Sequence, residues 1–266
     1  MAPLLNNSPK RGVLGLAAAA AALSIAAPVA GASTDIDPAI YDSGVPAATV
    51  EHGVESVTIT GSARPTSEKV EYWVSGNRFR EQTTDAKTGR LIAARVHDAS
   101  GTTYFSVKGP SGRPFVEHAK GPDSIPGPGW PAAYNKKLLA GTRQSNASHQ
   151  WTLTLNPIGP VTLAGVAGTK YELLVNGAPE ANSHNQHTYL TLDADAKPLA
   201  RETTSDNGSH GQFDQAETLV SRESVPAGAA GGAVAAQVSK ASFKRSVKVW
   251  KAKAAKAKRA SKKHHR

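Results

Sequence analysis

Apolar and polar residues alternate with a period of two along most of this sequence, and that period decides the class of fold open to it. Val57 and Ile59 alternate with Ser56, Thr58 and Thr60, and Val70, Tyr72 and Val74 alternate with Glu71, Trp73 and Ser75. Further along, Trp151, Leu153 and Leu155 alternate with Thr152 and Thr154, and Tyr171, Leu173 and Val175 mainly with Glu172 and Leu174. Leu190 and Leu192 alternate with Tyr189, Thr191 and Asp193. Successive side chains of a strand point to opposite faces, so each segment has one apolar and one largely polar side. This is the pattern of antiparallel strands with one wet face. Further strands are expected at 78–84, 91–97, 102–108, 113–118, 198–205 and 212–223. Asp or Asn stands with Gly between many of them, as in Asp85 to Gly89, Asp98 to Gly101 and Asp206 to Gly208. Such residues accept the backbone angles of tight hairpins. Short connections make chain neighbours sheet neighbours, so an up-and-down sheet is expected rather than parallel βαβ units.

One segment departs from the pattern. Gly121 to Gly129 carries three Pro and three Gly, too many for a central strand. After it, Trp130, Tyr134 and Leu138 are spaced four apart, with Leu139 alongside and Gly141 as a C-terminal cap. The spacing predicts a short amphipathic helix, carried on a loop, that plugs one mouth or face of the sheet.

Charge divides the chain. Lys10 and Arg11 precede an uncharged apolar run to Ala27, and Ala30-Gly31-Ala32 suits cleavage before Ser33. Residues 1–32 therefore read as a secretory signal, too short and too interrupted by Pro28 for a membrane span. From Gln237 to Arg266 there are 12 Lys and Arg and no acid, whereas residues 33–236 sum to −4. The organisation expected is a signal at 1–32, a β domain at 33–225, an Ala/Gly linker at 226–236 and a basic tail at 237–266. The roughly 190-residue domain is large enough to be stabilised by its own core, as it must be with no cysteine in the chain.

No catalytic constellation emerges. His184 and His187 lack a third ligand and read as a hairpin tip. Asp193 and Asp195 lack the rest of a calcium loop, and Gly165 to Lys170 has the wrong spacing for a phosphate loop. Asn146-Ala147-Ser148 and Asn207-Gly208-Ser209 match the glycosylation triplet, a match frequent by chance. No enzyme, metal or cofactor is expected.

The order of these segments resembles the lipoprotein-localisation-factor superfamily: LolA-like half-barrels and RseB/MucB-like sensor domains. Three passages carry the likeness. Tyr72 to Arg80 is similar to a strand–turn–strand with an Arg-containing return. Val166 to Tyr171 is similar to a small Gly-containing turn leading into a strand that begins with Tyr. Tyr189 to Leu199 is similar to a strand, an Asp-rich turn and a Pro-Leu opening the next strand. The resemblance spans about residues 55–225. It implies a mainly β fold, a curved antiparallel sheet left open as a half-barrel, with a short plug helix on its concave face. It also implies that this face takes acyl chains or other hydrophobic ligands. Tyr72, Val74, Leu153, Leu155, Leu173, Val175, Leu190 and Leu192 are then the candidate cavity lining, and Trp130, Tyr134 and Leu138 the plug. The chain departs from the superfamily in its weak N-terminal helix around Asp37 to Tyr41, and it has no cysteine to carry a lipid. An ordinary packed core explains the same alternation.

In the tail, Val234, Val238, Ala241, Val247 and Trp250 recur near helical spacing among Lys and Arg. Lys244, Arg245, Lys248, Trp250, Lys251 and Lys253 are candidates for binding an anionic membrane surface or a cell-wall polyanion. Nucleic acid suits the charge but not an exported protein. The density of like charge predicts a flexible tail, partly helical or disordered, that adds charge to the domain rather than stability. The expected function is an exported envelope protein that binds or senses a lipid or hydrophobic ligand. The alternatives are a structural or adhesive envelope protein whose tail is the functional part, and an unrecognised hydrolase.

Overall fold

The computed structural model describes residues 37–61, 65–109, 112–145, 150–179, 186–206, 212–227 and 236–263. The expected signal, most of the linker, His184 and both glycosylation triplets lie outside them.

Among the described residues, thirteen strands form one antiparallel sheet that is not closed. The first six are β1 (Thr49–Thr60), β2 (Thr66–Ser75), β3 (Arg78–Asp85), β4 (Leu91–Asp98), β5 (Gly101–Ser106) and β6 (Phe115–Ala119). After helix α1 (Ala132–Ala140) come β7 (Thr142–Ser145), β8 (Gln150–Leu163), β9 (Val166–Val175), the two-residue β10 (Ala178–Pro179) and β11 (His187–Leu192). β12 (Pro198–Asp206), β13 (Gln212–Pro226) and helix α2 (Lys240–Lys263) complete the chain. The order across the sheet is β6-β5-β4-β3-β2-β1-β13-β12-β11-β9-β8-β7, with β10 paired to β9.

This order explains the plug. β6 and β7 lie at opposite edges, so residues 120–141 must travel from one edge to the other. They do so across one face, here called inner, and α1 is the last part of that crossing. A 3-10 turn, Pro38–Tyr41, sits against α1, its Ile40 buried with the α1 side chains. Asn135 pins the crossing from within: its Nδ2 donates to the Trp130 carbonyl at 2.7 Å and to the Ala196 carbonyl at 3.0 Å. Trp130 itself precedes α1 rather than belonging to it.

The structure extends the expected strands. β8 continues past Leu155 through Pro157 and Pro160 to Leu163. Proline lacks the N–H of a ladder, and it is tolerated here because β7 ends opposite Leu153 and leaves the rest of β8 as an edge. The turn expected within Val166 to Tyr171 lies earlier. Ala164 and Gly165, with φ of 50° and 76°, make the β8–β9 hairpin. Gly168 is instead inside β9, where a Cβ would stand 2.6 Å from the Leu192 carbonyl oxygen of β11.

The opposite, outer face gives the tail a surface to pack on. The second phase of β2, β4 and β5 is not polar: it carries Trp73, Ala94, Val96 and Phe105, all buried. α2 covers it. Phe243 is 0% exposed among Ala94, Val96 and Phe105, and Val238 packs with Val50 and Trp73. Trp250 stacks on Phe105 with ring centres 5.5 Å apart. The Arg80 guanidinium lies 5.6–5.7 Å from the rings of Trp73, Phe243 and Trp250, and it donates to Gln237 at 2.7 Å. Charge repulsion within the tail is therefore met by an apolar surface that needs a cover, and by Lys and Arg held on the side of α2 away from the sheet.

Candidate ligand site on the inner face

The inner face has an apolar half and a charged middle. On the apolar half, β8, β9 and β11 bring together Leu153, Leu155, Leu173, Leu190 and Leu192, with Leu155 paired opposite Leu173 and Leu190 opposite Tyr171. Trp130, Tyr134 and Leu138 of the crossing segment pack onto this layer, and Val175 lies at its margin. The Trp130 and Tyr134 rings meet edge to face at 5.8 Å. Five leucines from the alternating strands and the three residues at helical spacing lie in this one cluster. Tyr72 and Val74 belong to a second cluster, with Phe79, bordered by Val45 and Ile125. Tyr72 lies over Gly53 so closely that a Cβ there would fall 2.0 Å from the ring.

The charged middle lies between the two clusters. Register sets Glu81 opposite Arg95 and Arg201 opposite Glu217. Arg95 donates to Glu81 Oε2 from Nε at 3.2 Å and from Nη2 at 2.8 Å, and its Nη1 meets Asp123 at 3.0 Å. Arg201 donates to Glu217 at 3.1 Å, and Gln215 donates to the same oxygen at 2.8 Å. Glu55, on β1, lies between these two pairs. It is 4% exposed, and its Oε1 has no hydrogen-bond partner. Burial, and then the neighbouring Glu217 and Glu81, hold the Glu55 carboxyl well above the usual carboxylate range, so it favours the protonated form. Burial also raises Glu217, against the pull of Arg201. Burial works against the Arg95 charge, but Glu81 and Asp123 more than offset it and keep the guanidinium charged. Burial pushes the Tyr104 hydroxyl, on the neighbouring β5, up to about 12.

The crossing segment leaves two clefts against the sheet. One, of about 70 Å³, is lined by Glu55, Glu81, Arg95, Arg201, Glu217 and Trp130, among others. The other, of about 40 Å³, borders Tyr72, Val74 and Trp130. Sequence reasoning missed the charged middle. Its signal was a charge in the apolar phase of several strands: Glu55 with Val57, Glu81 with Phe79, and Glu217 with Leu219.

The remaining candidates are placed as follows. Lys244, Arg245, Lys248, Lys251 and Lys253 are exposed on α2, whereas Trp250 faces the sheet. His187 pairs with Glu172 at 2.9 Å. Asp193 accepts from the backbone N–H groups of Asp195 and Lys197 and pairs with Arg222, as a turn residue does. Among the described residues no group of three or more His, Asp or Glu is placed to hold a metal. No helix among them is long and apolar enough to cross a membrane.

The sequence matches no protein-family profile and no curated protein. Solved structures similar to the chain include the Pseudomonas aeruginosa MucA/MucB complex, at 16% identity and a TM-score of 0.38, covering 69% of this chain and 54% of that one. A LolA superfamily protein from Nitrosomonas europaea is similar at 8% identity and a TM-score of 0.27, covering 67% and 86%. A DUF1329 family protein from Desulfovibrio piger is similar at 7% identity and a TM-score of 0.28, covering 73% and 91%. The chain spans about half the length of the MucB structures it matches.

Proposed function

We propose that this chain is an exported envelope protein that binds or senses a lipid or other hydrophobic ligand on the inner face of its open sheet. We further propose that it is held near anionic surfaces by the basic face of α2. The observation that carries the first part is the cover of the leucine layer. Where a sandwich would set a second sheet, Leu153, Leu155, Leu173, Leu190 and Leu192 meet, among the described residues, the crossing segment with α1, the 3-10 turn and Ala196 of the β11–β12 turn. Moving residues 121–141 aside uncovers an apolar surface without unpairing a strand of the main sheet. The clefts of about 70 and 40 Å³ are far below the ~300–1,000 Å³ of ordinary ligand pockets, so ligand entry requires that movement.

A titration with a fluorescent fatty acyl probe tests this. Leu138 is fully buried under α1, and Leu138→Ala should weaken the plug's seat by ~2–5 kcal/mol. The proposal expects saturable binding at one probe per chain, tighter or faster in Leu138→Ala. The second reading, a structural envelope protein with a closed core, is favoured by the full burial of Leu138, Leu153 and Leu190. It expects a lower melting temperature in the variant and no saturable binding in either protein.

A further inference from the structure

We infer that Glu55 anchors the polar end of the ligand, and that this end is a primary ammonium. The inference rests on the proposed function and adds the chemistry of the head group.

Glu55 is almost wholly buried, its Oε1 is unpartnered, and it lines the larger cleft beneath the crossing segment. The structure offers it no cation of its own. Arg95 is committed to Glu81 and Asp123, and Arg201 to Glu217. A buried polar oxygen without a partner is costly, and a donor brought by a ligand would remove that cost. The charge balance selects among donors. Glu55, Glu68, Glu81 and Glu217 line this cleft against Arg95 and Arg201, so acids are in excess. A carboxylate or phosphate head would meet that excess with both guanidinium groups already engaged. A hydroxyl would supply a hydrogen bond but no countercharge. An ammonium supplies both.

Size and position agree. The cleft of about 70 Å³ exceeds the ~10–15 Å³ that one water needs on this measure, enough for an ammonium and its first carbon. Trp130 lines this cleft and also belongs to the leucine cluster, so an alkyl chain leaving the cleft would run onto the leucines. The groups facing Glu55 are Glu217 of β13, Glu81 of β3, Arg201 of β12, Arg95 of β4 and the Tyr72 hydroxyl of β2. As the ammonium binds, Glu55 ionises and its proton passes to solvent.

The test is calorimetric titration of the full chain, and of Glu55→Gln, with four probes: dodecylammonium, dodecyltrimethylammonium, dodecanol and dodecanoate. The inference expects dodecylammonium to bind the native protein tightest, by roughly tenfold or more over dodecanol, as a charge-assisted hydrogen bond should give. The trimethyl probe, which cannot donate, should lose that advantage, and Glu55→Gln should erase the difference between amine and alcohol. Titration of the native protein in two buffers of different ionisation enthalpy should show proton release with the amine alone, a readout that does not depend on the variant. An amine that binds no better than the alcohol, or that keeps its advantage in Glu55→Gln, overturns the inference and leaves the proposed function standing. Failure of all four probes counts against the proposed function itself.

Discussion

Glu55 holds a carboxyl inside the protein with no cation of its own among the described residues. Its raised folded-state pKa has a definite consequence for stability. Below the ordinary glutamate value of 4.5 the group is protonated in both states and costs nothing. Above it the unfolded chain ionises while the folded protein keeps the proton, so stability falls as pH rises toward the folded-state pKa. Glu55→Gln removes this loss. The variant should melt higher than the native protein at pH 7, and the difference should vanish at pH 4; thermal unfolding monitored by circular dichroism at the two values checks it. Arg95 is the opposite case. Glu81 and Asp123 depend on it, and Arg95→Leu would leave two carboxylates facing an apolar side chain. Breaking a buried pair from one side costs about 3–5 kcal/mol, so denaturant midpoints should fall sharply, and less so in the double variant Arg95→Leu, Glu81→Leu.

At the scale of elements, α2 is part of the packing. Phe243→Ala removes a fully buried ring from between α2 and the sheet, and should cost about 3–5 kcal/mol in chemical denaturation. Truncation before Gln237 should likewise lower the melting temperature, because it uncovers Trp73, Val96 and Phe105. Strands β1, β2, β8, β9 and β11 were legible because period two survives in them, and the plug because Trp130, Tyr134 and Leu138 interrupt that period at helical spacing. The cover of the outer face was not. Ala94 and Val96 share β4 with the inner Arg95, so that strand shows no clean alternation, and its second apolar face is visible only once register is known. The far half of β8 was hidden by Pro157 and Pro160, whose tolerance depends on an edge that sequence does not display. The charged middle was hidden for a related reason. A lone Glu or Arg in a strand reads as its wet side, and only pairing across β3–β4 and β12–β13 turns such residues into buried partners.

For the whole molecule, the two faces of one sheet carry the two proposed roles. α2 lies on the face opposite the plug, with Lys244, Arg245, Lys248, Lys251 and Lys253 outward and Trp250 inward. Attachment to anionic vesicles should therefore be electrostatic, weakening steeply above physiological salt, where charges are screened within ~8 Å. Replacing Lys244, Lys248 and Lys251 by Gln should reduce co-sedimentation with such vesicles more than Trp250→Ala does; a larger loss from Trp250→Ala would mean that the helix undocks and inserts. Bound in this way, the protein would keep its crossing segment on the side of the sheet away from the surface, free to open. In the proposed function, opening this segment admits an amphiphile to the leucine layer. Native mass spectrometry of the full chain purified from its own cells tests it most directly. The account predicts one non-covalent amphiphile per chain, lost on denaturation. A bare protein mass that stays bare after incubation with acyl ligands would contradict it.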